Sequence, residues 1–208
     1  MNSPLWPKTQ WKNHVKAAVI GYHEANWRQK AASNSKLNFL NVQTIGLCCK
    51  PYPTLRWVRT SHDATTIRPQ IKMLAGDYQC FKILGRERGI DPSCRLCVFR
   101  SRPGALPPIE DIVHILTECR STYDTRSRIM PQLLNIIAQH IPDNLLLATP
   151  TNQELSQFLL DCTSLNLQNG LRLSPAHPAL DVIAKQCSNL VYAVHTDRIR
   201  QLKEQGFL

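Results

Sequence analysis

Trp11, Val15, Ala18, Val19 and Tyr22 recur every three or four residues, the spacing of one face of an α-helix, so residues 8–32 are predicted helical. Lys8, Lys12 and Lys16 repeat every four residues and fall on another face, and the polar run "SNSK" closes the segment. Residues 36–60 lack a clear period, and Pro51 and Pro53 predict an extended or looped path there. A second helix is expected over 63–75, with Ser61 or Asp63 as cap, Ile67, Ile71 and Leu74 on one face and Gly76 at its end. "DYQCFKILGRERG" reads as a shorter helix running to Gly89.

Further on, Ile129, Leu133, Ile136 and Ile137 form the apolar face of a helix over 122–140, weakened locally by Pro131. Thr151 and Glu154 have the T-x-x-E form of a capping box, which opens a helix reaching to about Cys162. The last helix has the most regular pattern. Leu180, Ile183, Cys187, Leu190, Val191, Val194, Ile199 and Leu202 share a face, Pro178 lies near the first turn, and Gly206 can terminate it. The expected fold class is mostly α, made of small helical units with a zinc-stapled turn-loop-helix insert. The expected divisions are a basic N-terminal region over 1–60, a metal-binding helical region over 61–140 and a helical tail over 141–208.

Charge changes this picture because it is uneven. Residues 1–100 carry 16 lysines and arginines against 5 acidic residues, whereas residues 101–208 carry 9 against 10. Trp6, Trp11, Trp27 and Trp57 also lie in the basic half. Basic charge interleaved with aromatics suits an anionic partner, nucleic acid being the usual one; a solubilising surface over core tryptophans has the same composition. If the N-terminal 60 residues lack a packing partner, their tryptophans are exposed and the chain is prone to association. No apolar run reaches the eighteen residues of a membrane span. The N-terminus lacks the order of a signal peptide, so the protein is expected inside the cell, where cysteines are free or metal-bound rather than paired.

Three of the eight cysteines and one histidine follow the pattern Cys94-x2-Cys97-x16-His114-x4-Cys119. A C-x-x-C turn puts two sulfurs on one side of the chain, and "IEDIVHILTEC" is expected to bring the other two ligands from a helix and its end. A Cys3His tetrahedron with no open position is a structural zinc site. Singly, the C-x-x-C could be a redox pair, Cys119 a buried apolar residue and His114 a core histidine. No thioredoxin-like context surrounds the pair, and the ordered set of four points to one structural zinc ion. Cys80 is the one plausible substitute ligand. Cys48 and Cys49 have no histidine nearby, and Cys162 and Cys187 sit on apolar helix faces.

The stretch "IKMLAGDYQCFKILGRERGIDPSCRLCVFRSRPGALPPIEDIVHILTECRSTYDTRSRIMPQLL" resembles the C-terminal zinc-binding region of reverse transcriptases from LINE-type (non-LTR) retrotransposons. The shared features are Leu74, Gly76 and Tyr78 in an L-x-G-x-Y segment, Cys94 and Cys97, Glu110 and Asp111 ahead of His114 and Cys119, and Arg126 on the following helix. The closing segment also looks like the tail of such reading frames, and the resemblance covers most of residues 60–205. It implies a region that grips template RNA or target DNA near a polymerase, in a nuclear or cytoplasmic ribonucleoprotein, with the rest of a reverse transcriptase as a possible partner. It implies no small-molecule substrate.

A polymerase needs paired aspartates to hold two magnesium ions, and the sequence contains no Asp-Asp. Pro142-Asp143 followed by Glu154 lacks the lysine of a restriction-like nuclease, so no enzyme is expected. The expected backbone-gripping residues are Lys72, Lys82, Arg86, Arg88, Arg95, Arg100 and Arg102. Tyr78 and Phe99 could stack on bases or belong to the core. The alternatives are a zinc-stapled helical scaffold that binds protein through the apolar stripe of the last helix, and a degenerate element fragment without function.

Overall fold

The computed structural model describes residues 7–34, 37, 39, 52–98, 106–141, 150–164 and 176–208. The fold is mostly α. The helices are α1 (Lys8–Ser33), α2 (Ser61–Leu74), α3 (Phe81–Arg88), α4 (Arg95–Val98), α5 (Tyr123–His140), α6 (Asn152–Leu160) and α7 (Leu180–Glu204). Among the described residues the only β pairing is an isolated antiparallel bridge between Ser93 and Ile109.

Local chemistry explains where the helices begin and end. The cap of α2 is Thr60, not Ser61 or Asp63. Its hydroxyl accepts the Asp63 N–H at 3.1 Å while the Asp63 carboxylate accepts the Thr60 and Arg59 N–H groups at 3.0 Å. Those backbone bonds hold the Asp63 carboxyl below its ordinary range. Thr151 and Glu154 form the expected box at the start of α6, which ends two residues short of Cys162. Gly89 closes α3 with φ 67°, a left-handed turn that favours glycine. Pro69 and Pro131 lie inside α2 and α5, and both helices continue through them.

Helix α7 organises the interior. Leu180, Ile183, Cys187, Leu190, Val191 and Val194 are inaccessible to solvent and packed by α2, α5 and α6, while Leu202, equally buried, packs with Phe81, Leu96, Cys94, Cys97 and Cys119. One apolar cluster runs from Phe39 and Trp57 through α2 and α5 to α7. The stripe proposed as a protein-binding face on the last helix is thus occupied within the chain. Gln70 bonds α2 to both neighbours. Its Nε2 donates to the carbonyls of Leu159 (3.0 Å) and Leu160 (2.6 Å), and its Oε1 accepts the Ser188 hydroxyl (2.5 Å). A buried amide satisfied on both ends fixes the relative register of α2, α6 and α7. No helix among the described residues is long and apolar enough to cross a membrane.

Candidate metal centre

Cys94, Cys97, His114 and Cys119 arrive from two converging pieces of chain. Residues 92–94 and 108–110 lie side by side, joined by Cys94 N–H to Pro108 O and Glu110 N–H to Pro92 O, each 2.8 Å. This pairing sets Cys94. The single turn of α4 then returns Cys97 to the same side, with Cys97 N–H donating to Cys94 O at 3.1 Å. Gly85 lets the 90–92 segment approach α3. A Cβ there would come within 2.6 Å of Ile90 O.

The other two ligands depart from the expected helix. His114–Glu118 is a π-helical turn, opened by the Asp111 carboxylate accepting His114 N–H at 2.9 Å. Cys119 N–H donates to His114 O at 2.7 Å. On an α-helix, residues five apart point about 140° away from each other. Bonding from i to i+5 brings them onto one side, so the wider turn lets His114 and Cys119 converge.

The four ligand atoms lie within 4.8 Å of one another and all four residues are buried, so the group could hold a metal ion. The separations test the fit. Cys94 Sγ is 3.9 Å from Cys119 Sγ, Cys97 Sγ is 3.7 Å from Cys119 Sγ, and His114 Nε2 is 3.5 Å from Cys97 Sγ. A tetrahedron with metal–sulfur bonds of about 2.3 Å and a metal–nitrogen bond of about 2.05 Å has S···S edges of about 3.8 Å and S···N edges of about 3.6 Å. The sulfurs are too far apart for a disulfide, whose bond is about 2.05 Å.

Electrostatics favour thiolate at this point. Cys119 and Cys94, and then the backbone N–H groups of Arg120 and Ser121, bond to Cys97 and pull its thiol well below the ordinary range, against the effect of burial. The same sharing of protons with Cys119 and Cys97 pushes the Cys94 thiol up. Burial opposes a charge on His114, but Cys119 and Glu118 outweigh it and raise the imidazole pKa. His114 Nδ1 is buried without a hydrogen bond, and Glu118 Oε2 stands 3.7 Å away. That gap is too long for a hydrogen bond, but Glu118 is the acceptor closest to hand for a ligating histidine's second nitrogen. Arg126 is buried near the sulfurs and donates to Thr122 Oγ1 at 2.6 Å. Burial lowers its pKa, and its nearness to the Cys119 and Cys97 sulfurs opposes that shift.

A buried ion pair ties this unit to α7. Arg198 Nη2 donates to Glu110 Oε1 at 2.5 Å and Nε to Oε2 at 3.3 Å, and Glu110 Oε1 also accepts the Phe81 N–H at 3.0 Å. The Arg198 guanidinium lies 5.8 Å from the ring centres of both Tyr78 and Phe81. Burial works against the Arg198 charge, and the Glu110 carboxylate overrides it and raises the pKa.

The basic residues expected to grip nucleic acid are placed less uniformly. Arg86 and Arg88 are exposed on the last turn of α3. Lys82 pairs with Asp111 at 3.0 Å, and Arg95 pairs with Asp91 at 3.2 Å while lying over the Phe81 ring at 5.7 Å. Lys72, exposed on α2, lines a different cleft of about 410 Å³ together with Arg68, His195 and Tyr192. Arg100, Arg102, Phe99, Cys48, Cys49, Trp6, Pro51 and the Pro142-Asp143 pair lie outside the described residues. Tyr78 is buried and its hydroxyl meets His195 Nδ1 at 2.9 Å, so it belongs to the core and is no stacking platform. Burial pushes its pKa up to about 12. Cys80 is buried outside the ligand group, and Cys162 and Cys187 are buried in the apolar core.

Sequence reasoning missed Arg68, Arg198 and His195. Arg198 sits in a helical stretch with Asp197, Arg200, Lys203 and Glu204 close by, and only its nearness in space to Glu110 reveals its role. Against known proteins, no family model, curated protein or solved structure matches this chain.

Proposed function

We propose that this chain is a non-catalytic nucleic-acid-binding module, stapled by one structural zinc ion and derived from the C-terminal region of a LINE-type reverse transcriptase. One observation carries the reading: the four buried ligand atoms of a Cys3His set lie within 4.8 Å of one another, and the Cys94–Cys119, Cys97–Cys119 and Cys97–His114 separations match the edges of a metal tetrahedron. Zinc is favoured over a hard cation because the donors are three sulfurs and an imidazole. Closed coordination by four protein ligands makes the ion structural. It would supply cross-linking of residues 94–97 to 114–119, while the chain's own Asp111, Arg126 and Glu110–Arg198 contacts orient the ligands. Of the basic residues expected from the sequence to grip phosphates, Arg86 and Arg88 on α3 and Lys72 on α2 are exposed. The absence of an Asp-Asp pair supports binding without polymerisation.

The test has two arms. Elemental analysis should find one zinc per chain, and none in Cys97→Ser. Binding of labelled single-stranded and duplex oligonucleotides, titrated against salt, should weaken as salt rises, and the paired reversal Arg86→Glu with Arg88→Glu should flatten that slope by about one to two units. A zinc-loaded chain whose oligonucleotide affinity ignores both salt and charge reversal would reduce the reading to a zinc-stapled scaffold.

A further inference from the structure

Helix α1 buries one edge and leaves another bare. Ile20 and Trp27 are half-buried and Ala31 is buried, which marks the inward edge. On the opposite side, Trp11 is 56% exposed, Val15 37%, Val19 49% and Tyr22 68%. Trp11, Val15, Ala18 and Tyr22 stand at intervals of four, three and four residues. That is the spacing of a coiled-coil seam. An exposed apolar strip of this continuity marks an interaction surface.

We propose that the outer face of α1 docks an acidic amphipathic helix of a partner protein. Lys8, Lys12 and Lys16 form an i, i+4 row alongside the Trp11–Val15–Val19 row, with Lys12 at the position that flanks the seam, and Glu24 is the one carboxylate of the helix, near its inward edge. Positive charge along one margin selects a partner with carboxylates at the facing positions. Nucleic acid fits less well, because Val15, Ala18 and Val19 at the centre of the strip offer neither an aromatic face to a base nor a cation to a phosphate. A second copy would bring two lysine rows together. The undescribed segments of this chain hold Asp143 as their one acidic residue, so none supplies the required charge.

The experiment titrates the full chain with a fluorescent four-heptad peptide carrying leucine at both seam positions and glutamate at the flanking ones. A control peptide has lysine in place of the glutamates. Micromolar binding of the acidic peptide is expected, at least tenfold weaker for the control. Val15→Asp with Val19→Asp should cost at least tenfold, with helicity and metal content unchanged because both side chains face solvent. Lys12→Glu with Lys16→Glu provides a second variant and should invert the preference between peptides. Equal binding of both peptides, affinity unaltered by either variant, or displacement of the peptide by an oligonucleotide overturns the proposal. So does self-association that Val15→Asp abolishes.

Discussion

Replacing Arg198 by methionine removes the guanidinium while keeping most of the stem that packs beneath it. Glu110, with 0% of its side chain exposed, would keep the Phe81 N–H as its remaining donor. Stranding one member of a buried ion pair costs about 3–5 kcal/mol. Loss of the contacts with the Tyr78 and Phe81 rings adds about 0.5–1 kcal/mol each. Against a typical domain stability of about 5–15 kcal/mol, Arg198→Met should remove about a quarter or more. The double variant Glu110→Gln with Arg198→Met carries neither charge, and its amide oxygen still accepts the Phe81 N–H. It should sit about 1–3 kcal/mol below wild type, the cost of one unpaired amide N–H group, and so be more stable than Arg198→Met alone. Urea unfolding followed by far-ultraviolet circular dichroism, on metal-loaded protein, measures all four corners of the cycle. A single variant losing under about 1 kcal/mol, or a double whose loss equals the sum of the singles, would refute the idea that this pair is buried and coupled.

Gly85→Ala should destabilise the fold by about 1–3 kcal/mol despite alanine's better helix propensity, because its Cβ must displace Ile90 O. Since 90–92 leads into Cys94, a competition titration with a chelator should show weaker metal retention; unchanged retention and stability would count against the close packing. Burial first, then Arg198 and Lys72, hold the His195 imidazole down to about 4. An unfolded histidine titrates near about 6.5, so between these values the unfolded chain binds an extra proton and stability rises with pH. The contribution is complete above about pH 6.5 and is lost as pH falls towards 4. With His195 half-buried, solvent screening trims it to about 1–2 kcal/mol. The loss of stability between about pH 7 and pH 4.5 should be smaller in His195→Gln, and parallel profiles would contradict the assignment. Chelation of the metal-loaded chain should melt structure around α4 and the π turn first, read by hydrogen exchange at Leu96 and Leu116; uniform exchange across the chain would argue against a local staple.

Helical periodicity located α1, α2, α5 and α7 to within a few residues, because each carries an apolar stripe that reaches the core or, in α1, a surface of its own, and the Thr151–Glu154 capping box located α6. The four members of the candidate metal group were legible because ordered cysteine and histidine spacing has few other uses. The π turn was not. It depends on the balance between Asp111 bonding to His114 N–H and the ligand side chains converging, and no local pattern encodes it. The direction of the α1 stripe was also open, since Trp11 and Tyr22 fit a core as well as a surface. Two of the basic residues turned out to be in ion pairs, Lys82 with Asp111 and Arg95 with Asp91, because charge counting cannot see neighbours that folding brings close.

The position of α7 has a consequence for how the protein is made. Its side chains fill the interior between α2, α5 and α6, and Arg198 completes the Glu110 pair. Yet it leaves the ribosome last among these elements. All four residues of the candidate metal group emerge roughly sixty residues before α7 begins, a gap of several seconds at ordinary rates of translation. During that interval α2, α5 and α6 lack the helix that fills the interior between them, while the 94–119 segment already carries all four of its cysteine and histidine side chains. If this group takes up a metal ion, it can close before α7 arrives to fill the interior.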